Sequence, residues 1–268
     1  MLNGIATTSG LRIAQGIPYG SEPRQVLDVY APDGARSDSA QSAPVVVFLY
    51  GGAWQTGSRA LYRFVGAALA ERGFATVIPD YRVYPQVQYP AFLQDCAQAT
   101  AWASAHAAEH GGGSTLFVMG HSAGAYNAMM LALDDRWLGA AGLDARRLAG
   151  GIGLSGPYDF LPIRGADIRA VFGSAANDPS TQPINHVAPG APKLFLGAGT
   201  GDTTVRPGNT ERLAARVRAA GDSVTLRLYP GLGHIITIAA FAAPLRWTAP
   251  TLSDVTAYLR QRSADAGR

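Results

Sequence analysis

Cysteine, charge and long apolar runs are scarce in this sequence. The one cysteine among 268 residues, Cys96, excludes an intramolecular disulfide. No apolar run reaches the about 18 residues that a transmembrane helix needs, so we expect no membrane span. Charged residues make up 15%, the net charge is +3, and the longest basic run is Arg146-Arg147. Since nucleic-acid binding needs a basic patch or stripe, we expect no nucleic-acid partner.

Targeting and metal-binding signals are also missing. The first residues, MLNGIATTSG, have neither the basic start nor the apolar stretch of a signal peptide. We expect a cytoplasmic protein by default, or a periplasmic or secreted one if a leader has been removed. No His, Asp or Glu cluster has the spacing of metal ligands, so we expect no metal site. The sequence carries no signal for an oligomeric state.

What the chain does have is an alternation of strand-length and helix-length segments. The run APVVVFLY at 43–50 is continuously apolar, which is typical of a strand buried on both faces. An early meander followed by repeated strand–helix units predicts a mostly parallel sheet of about eight strands, with helices on both faces. We predict strands at 12–17, 24–31, 43–50, 74–79, 115–120, 150–155, 192–198 and 223–229, and helices at 60–72, 90–109, 123–134, 208–220 and 251–262.

One segment interrupts this alternation. Residues 156–190 are rich in Pro, Asn, Asp and Gly and lie between two predicted strands. We interpret them as a lid-like excursion over the sheet edge, within a single domain that spans residues 1–268. A chain of this length suits one large domain with a buried core.

The segment FVMGHSAGAYNAMML contains a candidate nucleophile, Ser122. Gly120 and Gly124 flank it, between a predicted strand and a predicted helix. A serine hydroxyl is a weak nucleophile unless a base takes its proton. The Gly-x-Ser-x-Gly elbow turns so sharply that only glycine fits at the flanking positions, and it lifts the serine oxygen clear of the sheet.

Candidate partners of Ser122 follow later strands in the expected order, acid before histidine. Asp202 follows the strand near 192–198, and His234 follows the last strand after a glycine-rich turn. The carboxyl ends of parallel strands meet at one edge of a sheet, so we expect the three side chains to converge there. Asp178 and Glu211 are weaker candidates for the acid. We interpret Asp80 and Arg82, in PDYRVYP, as structural partners that fix a loop.

An oxyanion hole needs backbone N–H donors from the residue after the serine and from a loop after an earlier strand. Ala123 supplies the first. The loop YGGAWQTG follows a buried strand and supplies Gly52 and Ala53. For the substrate pocket, position along the chain favours a second set of side chains: Trp54, Tyr126, Phe160, Phe172 and Ile235.

These motifs resemble those of α/β-hydrolases of the esterase type, and more narrowly the hormone-sensitive-lipase-like and kynurenine-formamidase-like carboxylesterases. The matching stretches include DVYAP, YGGAW, PDYRVYP, GHSAG, SGPYD, GTGDTTV and GLGH, between about residues 24 and 234. The resemblance implies an α/β-hydrolase fold and a serine-hydrolase mechanism without a cofactor. One position departs from it: the family usually begins the oxyanion loop with His, and Tyr50 stands there.

The motifs therefore predict a serine carboxylesterase that cleaves small or short-acyl esters through Ser122, His234 and Asp202. Short acyl groups are expected because the excursion is too small for a large lid. Two alternatives stay open. An aryl-formamide hydrolase would use the same three side chains, and SGPYD is similar to its motif. A hydrolase fold that has become a catalytically silent binding module is the other, since Tyr50 departs from the usual loop.

Overall fold

A central sheet of eight strands forms the frame of the molecule in the computed structural model, which describes residues 9–35 and 42–267. The sequence predicted eight strands, and each is present with ends shifted by up to three residues. The strands are β1 (Leu11–Pro18), β2 (Val26–Pro32), β3 (Ala43–Leu49), β4 (Ala75–Pro79), β5 (Gly112–His121), β6 (Leu148–Leu154), β7 (Leu194–Gly199) and β8 (Val224–Tyr229).

The strands lie in the order β1-β2-β4-β3-β5-β6-β7-β8. β2 pairs antiparallel with both β1 and β4, and the remaining pairs from β4 to β8 are parallel. Every residue of β4 is buried, and so is all of β3 except Pro44. A strand can be buried at successive positions only when both faces of the sheet are covered, so the continuous apolar pattern at 43–50 was interpreted correctly.

Helices connect and cover these strands. The five predicted helices are present, and two of them extend into 3₁₀ turns at Arg59–Tyr62 and Ala107–His110. The helices of the described residues are α1 (Arg63–Ala70), α2 (Ala91–His106), α3 (Ala123–Leu133), α4 (Asp135–Ala140), α5 (Ala166–Phe172), α6 (Gly208–Ala219), α7 (Ile236–Ala239) and α8 (Thr251–Ala266).

Three short helices, α4, α5 and α7, were not predicted, because four to seven residues are too few to show a helical period. β5 also begins at Gly112, three residues before the predicted start of this strand. Gly112 pairs with Ala43 there, and a Cβ on Gly112 would lie 2.8 Å from the Val45 side chain. Glycine at this position therefore allows the start of β5 to pack closely against β3.

The excursion at 156–190 carries α5 and three 3₁₀ turns rather than an extended loop. It is fixed to the body of the protein by buried polar side chains. Asn209 Oδ1, on α6, accepts a hydrogen bond from the Tyr158 N–H over 3.0 Å, and Tyr126 Oη, on α3, donates to the Thr181 carbonyl over 2.7 Å. No helix of the described ranges is both long and apolar enough to cross a membrane.

Candidate active site

Ser122 stands alone in the turn between β5 and α3. Its backbone has φ 56° and ψ −125°, a left-handed conformation that non-glycine residues rarely adopt. A Cβ on Gly120 would lie 2.1 Å from the Gly124 carbonyl oxygen, and a Cβ on Gly124 would lie 1.9 Å from the Leu49 carbonyl oxygen. No side chain fits at either position, so the two glycines permit the sharp elbow that exposes Ser122.

The structure brings Ser122, His234 and Asp202 into one hydrogen-bonded chain. Ser122 Oγ lies 2.9 Å from His234 Nε2, and His234 Nδ1 lies 2.7 Å from Asp202 Oδ2. The other carboxylate oxygen of Asp202 accepts from the N–H groups of Thr204 and Val205, each over 2.9 Å. The carboxylate is fully buried, and its hydrogen bonds keep it oriented towards the imidazole.

His234 is also held through its backbone. Its carbonyl oxygen accepts from Thr237 Oγ1 over 2.8 Å and from His121 Nε2 over 3.1 Å. Ser155 Oγ lies 3.1 Å from Thr237 Oγ1 and donates to it, since the Thr237 proton is already used. Burial, reinforced by the neighbouring His234, lowers the pKa of His121 to about 3. His121 is thus a neutral donor that positions the loop of His234.

The loop after β3 approaches Ser122 from the other side. A Cβ on Gly51 would lie 2.9 Å from the Ser122 Cβ, so glycine is required for this close approach. Ala53 and Ala123 line the same cavity as Ser122, whereas Gly52 lies beside Ala53 and outside the lining. In the described parts of the chain, no acceptor receives a hydrogen bond from the Gly52 or Ala53 N–H.

Tyr50, at the departure from the usual His, is fully buried at the start of this loop. Its ring lies between those of Tyr81 and Tyr62, with centroid distances of 4.8 and 5.5 Å. The Tyr50 hydroxyl donates to Asp80 Oδ1 over 2.8 Å and accepts from Arg24 Nη2 over 2.9 Å. Tyr50 is therefore fixed by ring stacking and by two charged partners.

Arg24 joins the two ends of the loop that follows β3. The Nη2 atom that donates to Tyr50 also donates to the Gly57 carbonyl oxygen, over 2.9 Å. A Cβ on Gly57 would lie 2.7 Å from the Tyr50 ring, so the two ends are in contact as well. One guanidinium thus closes residues 50–57 into a short loop, and we name this arrangement of Arg24, Tyr50 and Gly57 the loop clamp.

The charged residues of PDYRVYP are structural, but they are not each other's partners. Asp80 accepts from Arg59 Nη1 over 2.5 Å and from the Arg59 N–H over 2.6 Å. Arg82 pairs instead with Asp95, whose carboxylate accepts from Arg82 Nη2 over 2.8 Å. The two residues therefore fix the segment to different parts of the chain, Asp80 to the turn that begins at Arg59 and Arg82 to α2.

A cavity of about 840 Å³ opens above Ser122. Of the five side chains predicted to line a pocket, Trp54 and Phe160 lie in its wall. The prediction differs from the structure for the other three. Tyr126 and Phe172 are fully buried behind this wall and contact the Trp54 ring edge-on, and Ile235 is 60% exposed outside the cavity. Proximity along the chain to a rim residue did not determine which way these side chains point.

Trp54 shows how the wall is held. Ala53 and Trp54 both have positive φ, at 53° and 58°, a conformation that costs side chains roughly 1–2 kcal/mol each. Trp54 Nε1 donates to Asn127 Oδ1 over 3.0 Å, and the Trp54 carbonyl accepts from the Tyr84 N–H over 2.8 Å. These bonds and the aromatic contacts offset the strain and orient the indole.

Several residues that hold the site were missed from sequence. Asn127 is a buried amide in the apolar helix α3, and an isolated polar residue in such a helix is a usable signal. Thr237, in the apolar run at 235–243, gives the same kind of signal, whereas Arg24 and Asn209 lie among polar residues and give none. Of the weaker acid candidates, Asp178 accepts from the Ser180 N–H and Glu211 is exposed on α6.

The sheet order, the elbow serine and the histidine–carboxylate pair at the carboxyl ends of parallel strands define an α/β-hydrolase fold. The BD-FAE family model matches residues 27–217. The chain therefore belongs to the BD-FAE family.

Named relatives and a solved structure agree with this assignment. The chain is 29% identical, over 95% of its length, to a probable isoprenylcysteine alpha-carbonyl methylesterase of Oryza sativa subsp. japonica. It is 30% identical, over 91% of its length, to esterase LipC of Mycobacterium tuberculosis. It spans 66% and 64% of those two relatives. A truncated carbohydrate esterase from gut microbiota shares the fold, with a TM-score of 0.80, 20% identity, and coverage of 94% of this chain and 96% of the other.

Proposed function

We propose that this protein is a serine carboxylesterase that hydrolyses small or short-acyl esters through Ser122, His234 and Asp202. The observation that carries the proposal is the unbroken hydrogen-bonded chain from the Ser122 hydroxyl to the buried Asp202 carboxylate. A serine with such a partner is activated for attack on a carbonyl, and it lines an open cavity. The esterase names of the relatives support the same reaction class.

In the proposed mechanism, His234 Nε2 takes the proton of Ser122 Oγ as this oxygen attacks the ester carbonyl. Asp202 holds the tautomer with hydrogen on Nδ1 and stabilises the imidazolium that forms. The imidazolium then gives its proton to the departing alcohol. Water, activated by the same imidazole, attacks the acyl-enzyme, releases the acid and restores the Ser122 hydroxyl.

The developing oxyanion is assigned to the N–H groups of Ala123, Ala53 and Gly52. Support comes from the position of Ala53 and Ala123 in the cavity wall and from the close approach of Gly51 to Ser122. Each donor of this kind is worth about 10²–10³ in kcat. The proposal also treats the chain as one domain, with 156–190 as its lid-like excursion.

The test is hydrolysis of p-nitrophenyl acetate, butyrate and octanoate, and of N-formylkynurenine, by the wild type, Ser122→Ala and Ser253→Ala. Ser253 is exposed on α8 and serves as the matched serine control. We expect turnover that falls with acyl length. It should drop by about 10⁵- to 10⁶-fold in Ser122→Ala and stay unchanged in Ser253→Ala.

Other results would change the assignment. Preference for N-formylkynurenine over every ester would favour the aryl-formamide hydrolase. A folded wild type that hydrolyses none of the four compounds would favour the silent binding module. Equal rates in the wild type and Ser122→Ala would show that Ser122 is not the nucleophile.

A further inference from the structure

The lining of the cavity consists of an apolar part around Trp54 and Phe160, its floor, and a charged outer wall. Five ionisable side chains line this wall: Asp159, Arg164, Asp167, Arg206 and Arg212. Arg212 is already neutralised, since its Nε donates to Asp159 Oδ2 over 2.5 Å and its Nη2 donates to the Asp159 carbonyl over 2.9 Å. This pair joins α6 to the excursion and leaves Arg164, Arg206 and Asp167 to face the cavity.

The backbone that leads into Arg206 is fixed by the turn after Asp202. The Asp202 carboxylate accepts from the N–H groups of Thr204 and Val205, and this hydrogen-bonded turn leads directly into Arg206. The Arg206 side chain is exposed, lines the cavity and has no ion-pair partner within residues 9–35 and 42–267. It is therefore a free cation four residues along the chain from the acid of the site.

Arg164 reaches the same cavity from the excursion. Its carbonyl oxygen and that of Ile163 both accept from Arg169 Nη1, over 2.7 and 3.1 Å, which fixes the backbone just before α5. The Arg164 side chain is exposed, and the described ranges hold no carboxylate paired with it. Two unpaired guanidiniums thus enter one cavity of about 840 Å³, from the loop after Asp202 and from the excursion.

We propose that the cavity selects esters that carry an anionic group, such as a carboxylate, at the end remote from the scissile bond. This inference rests on the proposed esterase function and narrows its substrate class. The apolar floor contacts the carbon chain, while Arg206 and Arg164 bind the anion at the mouth. A guanidinium suits this role because its planar N–H donors match the two oxygens of a carboxylate. Asp167 opposes the anion and limits the selectivity.

The experiment compares monomethyl adipate, which carries a free carboxylate, with dimethyl adipate, its neutral counterpart. Proton release at constant pH gives kcat/KM for each ester in the wild type and in Arg206→Gln, Arg164→Gln and Asp167→Asn. Arg218→Gln is the matched control, because Arg218 is exposed on α6 and lies outside the cavity lining. It makes the same change in net charge as the two test variants.

We expect the ratio of anionic to neutral kcat/KM to fall about five- to tenfold in Arg206→Gln and by a smaller factor in Arg164→Gln. Asp167→Asn should raise the ratio, and Arg218→Gln should leave it unchanged. The kcat/KM for dimethyl adipate should stay within about twofold throughout. Raising the salt from about 0.05 to 0.5 M should reduce the wild-type ratio, because solvent screens these exposed charges.

Two failures are distinguishable. If dimethyl adipate is hydrolysed in a Ser122-dependent manner but Arg206→Gln and Arg164→Gln leave the ratio unchanged, the anion site is overturned and the esterase proposal stands. If neither ester is hydrolysed by the folded wild type, or hydrolysis persists in Ser122→Ala, both proposals fall. Equal loss of both esters in Arg206→Gln would also overturn the anion site, because that pattern indicates damage to the neighbouring Asp202 turn.

Discussion

The proposed oxyanion loop at 50–57 and the excursion at 156–190 border the same cavity, but they are held in different ways. The loop is closed by the loop clamp and by stacked rings at the buried Tyr50. The excursion is anchored on its inner side, through contacts such as Tyr126 to Thr181, while its cavity face carries the exposed charge of Arg164. The two ends of the loop are fixed, whereas the excursion presents a free polar surface to the cavity.

The two segments differ in what the proposed reaction requires of them. Donors to a developing oxyanion must already be in position, because an error of about 1 Å can cost 10²-fold in rate. A wall that only contacts the distant end of a substrate has no such requirement. Substitutions near the loop and the elbow should therefore change turnover of all esters, whereas substitutions in the wall should change the preference among esters.

The largest loss of turnover is expected for Asp202→Asn. The amide cannot hold the tautomer with hydrogen on His234 Nδ1, so kcat should fall by about 10⁴-fold for every ester, with KM little changed. Steady-state kinetics on p-nitrophenyl acetate and butyrate measures this. Asp135→Asn, on the exposed side of α4, is the control. A loss below about tenfold would remove Asp202 from its proposed role.

A smaller effect is expected for Tyr50→Phe, which keeps the stacked ring and removes the hydroxyl that joins Asp80 and Arg24. Without this hydroxyl the N–H donors of the loop should be held less rigidly, which should lower kcat by about tenfold with little change in KM. The decrease in kcat should be equal for anionic and neutral esters. The rate of inactivation by a phosphonate should fall in parallel, because the phosphonyl oxygen occupies the same hole.

The matching control for Tyr50→Phe is its melting temperature. A role in stability alone would lower the melting temperature and leave kcat intact, which would contradict the positioning role. A change in the ratio of kcat/KM for anionic and neutral esters would show that the loop also acts on selectivity.

The smallest effect concerns pH and stability at His121. Its pKa is lowered to about 3 in the folded protein, largely by burial, whereas an unfolded histidine titrates near about 6.5. Between these values the unfolded chain binds more protons. The free energy of unfolding should therefore fall as the pH drops through this window, by at most about 1.4 kcal/mol per pH unit from this residue.

His121→Gln should flatten that pH dependence while keeping a donor for the His234 carbonyl. Urea titrations between about pH 4 and 7, with the wild type alongside, measure the slope. Asp202 and His234 face His121 and remain in both proteins, so their contributions cancel in the comparison. An unchanged slope would mean that His121 is not held neutral by burial.

Local patterns carried much of the fold and part of the site. The apolar run at 43–50 and the glycines around Ser122 act within a few residues, so strands and elbow could be assigned from the sequence. The pocket lining could not. Tyr126 and Ile235 each follow a site residue closely, yet the first faces the core and the second faces solvent, because helix rotation and neighbouring segments decide this.

The strand–elbow–helix unit at Ser122 is encoded locally, since only glycine fits at 120 and 124. The order of the acid and the histidine along the chain also follows directly from the sequence. The contacts that hold the site residues in place are set by the tertiary structure. His234 lies 112 residues from Ser122, and Arg24 lies 26 residues from Tyr50. Contacts over such separations depend on how strands and loops pack, and no local pattern encodes that packing.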